Sequence, residues 1–342
     1  MKISKKIFTS FILIFLIALT LVGCESKGKA ESTEGSTAGK IQIKLGCVGN
    51  EQHQSTIASE LFKKYLEESS DDFEVSVYPN AQLGGEREMA EGTKLGTIQM
   101  TVVTSDGTLP AWVPEIQILS IPYLFESQEK AYKALDGIIS EKLNPKFEEA
   151  GFKHLAFGEL GFRHFSNSKK EIKTVEDMKG LSFRVQEAPV WFALMDSLNA
   201  SAVPVSFNEL YTALQQGMVD GQENPIATVA TQKFYEVQKY LSLDGHTYAA
   251  VSMVMNKDFF DKLNPEQQKL VQEAADKAAK EQRKIVSEHE EEYLQDLKNN
   301  GMIISEVDKN SFVEATKDIY TNPEVAQLVS PDFVEEVRDF IK

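Results

Sequence analysis

From Lys40 onward, short apolar runs alternate with stretches that repeat apolar residues at helical spacing, which predicts an α/β fold with largely parallel strand pairing. The runs at 41–49 (IQIKLGCVG) and 73–79 (FEVSVYP) predict strands, with a helix through 55–69 between them. A second helix through 86–96 (EREMAEGTKLG) leads to a strand at 97–104, residues 128–150 are helical, and 152–157 (FKHLAF) is a strand. These elements form a first lobe. Thr174 is placed to cap a short helix, with Asp177 three residues on and Gly180 as its stop; the strand LSFRV (181–185) follows. The device recurs with Ser206, Glu209 and Gly217, and the chain then reads as a short strand, MVD (218–220), and a turn, GQENP (221–225). Asn264 and Pro265 open a pattern free of Pro and Gly up to Asn300, with Gly301 as the stop. Unbroken, it would run ~54 Å, longer than the ~30 Å width of one lobe, so it is expected to lean on both.

The N-terminus changes the picture. Lys2, Lys5 and Lys6 precede an uncharged stretch from Ile7 to Val22, then Gly23, Cys24 and a polar tract, the layout of an export signal over residues 1–23. A retained membrane anchor is the alternative, against which the run is shorter than the ~20 residues of a usual span. Leu21-Val22-Gly23-Cys24 resembles the lipobox of bacterial lipoproteins, which makes Cys24 the expected lipid attachment point and residues 24–39 a flexible tether. The second cysteine, Cys47, lies in an apolar run and reads as a buried free thiol, leaving no disulfide framework. The formal charge is −16, and loss of three lysines with the signal makes it −19, which argues against a nucleic-acid partner.

No G-x-S-x-G, H-E-x-x-H, Walker or C-x-x-C pattern occurs, and the histidines at 53, 154, 164, 246 and 289 show no metal-ligand spacing, so neither metal nor cofactor is expected. His289, in a polar helical stretch, reads as solvated. Arginine usage is more informative. Of 36 basic residues five are Arg, the residue preferred where a planar fork must grip a carboxylate. Arg283 and Arg338 lie in stretches dense with Glu and Lys and read as surface charges. Arg184 sits in a strand between apolar neighbours and needs an anion, either an internal Asp or Glu or an incoming ligand. Arg163, in GFRHFSNS, falls where the chain leaves the first lobe, a position where clefts form.

Taken with the segments 80–100 and 113–125, GFRHFSNSKKEIKTVEDMKGLSFRVQ and LQQGMVDGQENPIATVATQKFYEVQKYLSLDGHTY closely resemble the substrate-binding proteins of tripartite ATP-independent periplasmic (TRAP) transporters, the DctP type. The resemblance covers the body from residue 40. It implies a two-lobe fold of the periplasmic-binding-protein kind, with hinge strands and a long helix spanning both lobes, lobe one at 40–160 plus 250–289 and lobe two at 161–249 plus 290–342. It implies a monomeric, non-enzymatic protein outside the cell membrane. Such a protein binds an organic acid, a C4-dicarboxylate or a sugar acid such as a uronate, and delivers it to a membrane permease.

By motif, Arg184 is similar to the arginine that pairs with the ligand carboxylate, Arg163 to its supporting arginine, and Asn224 to the asparagine that closes on the ligand. Glu86 and Arg87 fall where some members meet the far end of the ligand, and His53 and Gln54 are candidates on the same footing. Gln186 stands where the resemblance leads one to expect proline. The rival expectations are a binding lipoprotein of an ATP-driven importer and an extracytoplasmic enzyme on a similar scaffold.

Overall fold

Along Ile41–Gly46, Ile43 and Leu45 are buried while Gln42 and Lys44 are exposed, the alternation that makes a strand with one face on the core. The computed structural model describes residues 39–342. The expected signal sequence, Cys24 and all but the last residue of the expected tether lie outside the described residues. In chain order, β1 (Ile41–Gly46), α1 (Gln54–Ser69), β2 (Phe73–Tyr78), α2 (Glu86–Lys94), β3 (Met100–Thr104) and the single turn α3 (Ser105–Thr108) come first. They are followed by α4 (Gln128–Ala134), α5 (Ser140–Glu149), β4 (Phe152–Asn167), β5 (Ser182–Val185), α6 (Pro189–Ser197), β6 (Ser201–Pro204) and α7 (Phe207–Gln215). The rest comprises β7 (Gly221–Pro225), α8 (Ile226–Thr231), β8 (Tyr240–Asn256), α9 (Lys257–Lys262), α10 (Pro265–Glu288), α11 (Glu290–Asn299), β9 (Ile303–Glu306), α12 (Lys309–Thr316), α13 (Pro323–Ala326) and α14 (Pro331–Ile341).

The strands form one sheet in the order β2-β1-β3-β8-β4-β7-β5-β6, with β9 also on β8. Pairing is parallel within β2-β1-β3, within β7-β5-β6 and between β8 and β9, but β8 is antiparallel to β3 and β4, and β4 to β7. The sheet is therefore mixed: β4 and β8 run the full length of the fold, and each serves both halves. The second half of β8 pairs with β3, through Val251–Met255, and its first half with β9, through Tyr240–Leu243. The expected strand at 152–157 thus continues to Asn167, because the apolar and aromatic alternation runs on through Gly158 and Gly161. Register shifts after His154, Glu159 and Arg163 bend it, and Gly161 has φ +119° at the second of them.

The expected long helix is two helices. It opens on the full capping box of Asn264 and Gln267 and packs Val271, Ala274, Ala275, Ala278 and Ala279 inward against α1 and β4, where small side chains permit close approach. It breaks at His289 (φ −99°, ψ 0°), whose Nδ1 turns back to the Ile285 carbonyl at 2.7 Å. The chain resumes as α11, which packs on α8. His289 is exposed, as expected. Arg283 is not the solvated charge expected of it: its side chain is 11% exposed, its Nη1 and Nη2 donate to the Asp136 carboxylate at 2.7 Å, and Nη2 also reaches the Phe157 carbonyl. The C-terminal α14 packs against α4 and the π-helical turn at 135–139.

The segment read as a strand at 218–220 and a turn at 221–225 is the reverse. Gly217 (φ +68°) ends α7, the Met218 amide closes back on the Ala213 carbonyl, and Met218 is 60% exposed in the turn. Gly221 to Pro225 form β7, buried at every position between β4 and β5. A sequence of Gly, Gln, Glu, Asn and Pro is tolerated there because β4 and β5 satisfy its backbone and a polar network its side chains. Gly221 is required by space, since a Cβ there would lie 2.3 Å from the Ser166 carbonyl oxygen and 2.6 Å from the Phe183 ring. Gly221→Ala is expected to destabilise the protein by about 1–3 kcal/mol through overpacking, read as a lower urea midpoint; an unchanged midpoint contradicts this packing.

Candidate functional site

The register Arg163↔Pro225 places Glu223 two residues along β7 on the face that Arg163 occupies, the diagonal reach at which long side chains of neighbouring strands meet. Arg163 is buried; its Nε and Nη2 donate to the Glu223 carboxylate, and Nη2 also donates to the Glu223 carbonyl at 2.8 Å and to Asn224 Oδ1 at 3.0 Å. The Arg163 guanidinium lies 5.3 Å from the centre of the Trp191 ring. Asn224 donates through Nδ2 to Gln222 Oε1, and Gln222 Nε2 donates to Ser166 Oγ at 2.7 Å. On the other side, His246 sits between Asp244 (2.7 Å) and Glu223 (3.4 Å), stacked on Phe165 at 4.2 Å. The bulge after Arg163 makes this possible, because β4 skips from Thr247 to Ser242 in its register with β8 and leaves residues 243–246 to fold over it.

The charges in this network support one another. Burial works against the Glu223 carboxylate, but Arg163 and His246 hold it ionised, below the usual glutamate range. Burial opposes His246 as a cation too, yet Asp244 and Glu223 outweigh it and lift its pKa to about 9. Asp106 on α3 carries a carboxyl pushed up to about 6 by burial, against the pull of Arg163 and a 2.7 Å hydrogen bond from Ser120.

Arg184 is placed otherwise. It occupies the middle of β5, is 4% exposed, and donates from Nε to the Val205 carbonyl at 2.8 Å. Among the described residues no carboxylate forms an ion pair with it and no protein acceptor meets Nη1 or Nη2. Burial lowers its pKa to about 10; Glu223 pulls upward and Arg163 downward. This is a guanidinium taken out of water and left to be completed. It faces a cavity of about 50 Å³ lined by Glu86, Arg87, Glu88, Gly107, Thr108, Gln186, Glu187 and residues 205–207.

The residues singled out in sequence therefore separate. Arg184, Glu86 and Arg87 line the cavity. Glu86, at the first turn of α2, accepts from the Thr104 amide (2.7 Å) and from the hydroxyls of Thr104 and Thr108 (3.0 and 2.9 Å); Arg87 is more than half exposed and pairs with Glu91. Arg163 and Asn224 do not line the cavity; they lie in the buried network, where Arg163 Nη1 is buried without a partner. His53 and Gln54 are occupied elsewhere. His53 caps α1, accepting from the Ser55 amide, and is held neutral by burial with a pKa of about 3, its ring 5.6 Å from Phe207. Gln54 ties α1 to the Leu160 carbonyl and to Thr228, each at 3.1 Å. Cys47 is a buried free thiol whose pKa burial raises. Sequence reading missed Glu223, His246, Asp244 and Asp106. Reading GQENP as a strand would have put Glu223 on the Arg163 face. Among the described residues no group of His, Cys, Asp and Glu is arranged to hold a metal, and no helix is long and apolar enough to cross a membrane.

Two groups of strands sharing two long crossing strands, with a buried unpaired guanidinium beside the crossing, define a two-lobe solute-binding protein. The chain belongs to the bacterial extracellular solute-binding proteins, family 7 (DctP), whose family model matches residues 45–325. It is 38% identical over 299 residues to a solute-binding protein of Verminephrobacter eiseniae, covering 87% of this chain and 88% of that one. It is 33% identical over 304 residues to the 2,3-diketo-L-gulonate-binding periplasmic protein YiaO of Escherichia coli, covering 86% and 92%. Among solved structures, a TRAP periplasmic solute-binding protein of Polaromonas bound to D-erythronate superposes with a TM-score of 0.84 at 35% identity, covering 87% of this chain and 98% of that one.

The raised pKa of His246 has a consequence for stability. An unfolded histidine titrates near 6.5 and the folded one near 9, so the stabilisation is complete below pH 6.5 and is lost as pH rises through about 9. The loss is on the order of 3 kcal/mol. Urea unfolding at pH 6.5 and 9.5 is expected to show it in the wild type and not in His246→Gln; an equal drop in both contradicts the assignment.

Proposed function

We propose that this protein captures an organic acid in the cavity beside Arg184 and delivers it to a TRAP-type membrane permease. The observation that carries the reading is the Arg184 guanidinium, buried, lining the cavity, and without an ion pair or an acceptor for Nη1 and Nη2 among the described residues. A planar fork with both terminal nitrogens free fits a carboxylate in bidentate contact. Arg163 and Asn224 support the site from β4 and β7, where Arg163 donates to Asn224 Oδ1 at 3.0 Å. The relatives that bind 2,3-diketo-L-gulonate and D-erythronate, both acids, favour the same class. Binding without catalysis is the role assigned.

The lobes are assigned as 40–160 with 250–289 and 161–249 with 290–342, supported by the way β4 and β8 carry the sheet from one group of strands to the other. Residues 1–23 are assigned as an export signal and Cys24 as a lipid anchor holding a monomer on the outer side of the cell membrane, on the strength of the Leu-Val-Gly-Cys motif.

Calorimetry against a panel of organic acids that includes 2,3-diketo-L-gulonate and D-erythronate tests the site. Arg184→Lys, which keeps the charge but not the fork, is expected to weaken the best binder about ten- to hundredfold in a protein that melts normally. Asn224→Ala is expected to weaken it less. A folded Arg184→Lys variant with unchanged affinity overturns the assignment, and a larger loss at Asn224 moves the anchor there.

A further inference from the structure

Beside Arg184, the other residues lining the cavity bring a different chemistry. Gln186, two residues along, is 6% exposed and lines the cavity; its Nε2 is buried without a partner, and among the described residues its side-chain amide forms no hydrogen bond. A buried amide left unpaired costs stability unless something supplies its partners. Space for it is made by Gly107, where a Cβ would fall 1.7 Å from Gln186 Oε1. With Nε2 buried, the atom the amide offers the cavity is Oε1, an acceptor that is satisfied by a ligand hydroxyl, which donates, and not by a carboxylate, which only accepts.

The charges around the amide point the same way. Besides Arg184, the charged side chains lining the cavity are Glu86, Glu88, Glu187 and Arg87, three carboxylates to one guanidinium. That guanidinium is more than half exposed and pairs with Glu91. Glu86 is fixed by Thr104 and Thr108, which take three of the roughly four lone-pair directions of its carboxylate and leave one to accept from a ligand hydroxyl. A second ligand carboxylate at this end meets like charge in a partly desolvated space.

We infer that this cavity selects a hydroxylated monocarboxylate, its carboxylate on Arg184 and its hydroxyls read by Gln186 and Glu86, and rejects the dicarboxylate of the same length. This rests on the reading of Arg184 as the carboxylate anchor. Gln186 is the specificity-determining residue, and Gly107 makes room for it.

Isothermal titration of the mature chain with D-erythronate, D-galactonate, succinate and butyrate tests this. At least one of the two hydroxylated acids is expected to bind about a hundredfold or more tighter than succinate and butyrate, since a site built to pair hydroxyls discriminates strongly against ligands that lack them. Gln186→Ala and Gly107→Ala are each expected to lower that affinity about ten- to hundredfold and to bring its ratio to butyrate toward one. Gln186→Met keeps most of the shape while removing both polar atoms and adding no charge, so with a normal melting curve it separates recognition from folding; it is expected to lose affinity as Gln186→Ala does. Succinate binding as tightly as both hydroxylated acids, with that binding abolished in Arg184→Lys, overturns the selectivity and leaves the Arg184 anchor standing. Hydroxylated-acid affinity unchanged in Gln186→Met overturns the role of Gln186. Binding of none of the four acids overturns the selectivity, and binding of no acid in the wider panel overturns the Arg184 reading with it.

Discussion

The buried pair of Arg163 and Glu223 ties β7 to β4, the strand that in turn pairs with β8. Both charges are out of water, so each is tolerable only while the other is in place and the remaining valences are met. Most are met by neighbours from three directions, Asn224 and the Glu223 carbonyl on β7, Trp191 on α6, and the Asp244–His246 arm of β8, and Arg163 Nη1 alone of its nitrogens is left without a partner among the described residues. Removing one member strands the others, which gives the polar centre of the fold its specificity of arrangement. The same network explains how a strand of Gly, Gln, Glu, Asn and Pro persists in the middle of a sheet.

Against that charge-paired centre, Arg184 is the exception. The two arginines lie close enough for Arg184 to feel the charge of Arg163, yet among the described residues one is provided with an internal carboxylate and the other is not. Placing an unmatched guanidinium beside a matched one divides the labour: Arg163 holds the geometry and Arg184 keeps its fork for an anion from outside. The chain is acidic overall, and the carboxylates that line the rest of the cavity narrow what that anion can be.

Much of this was legible in the residues. The capping box at Thr174 and Asp177, the Asn264-Pro265 helix start, the Gly217 stop and the strand around Arg184 appear where local chemistry puts them, because caps, φ-restricted residues and apolar alternation act over a few positions. Arg184 was legible as a buried cation in need of an anion, since an arginine between apolar strand positions has no solvated alternative. What misled was also local: GQENP has turn composition, the stretch from Pro265 to Asn300 has no breaker residue, and Arg283 sits among Glu and Lys on a polar helix.

The sequence by itself determined the α/β alternation, the helix ends and the presence of a buried arginine on β5, because these follow from short-range propensity and periodicity. Only the tertiary structure decided that Gly221–Pro225 is a central strand, that the long helix breaks at His289, and that Arg283 is held by Asp136. It alone decided which of the two buried arginines is free. Whether a guanidinium is paired depends on side chains that come from 60 positions away, as Glu223 does for Arg163, and on a bulge that brings residues 244–246 over the strand. Such distances are closed by the packing of the whole sheet, and no local pattern records them.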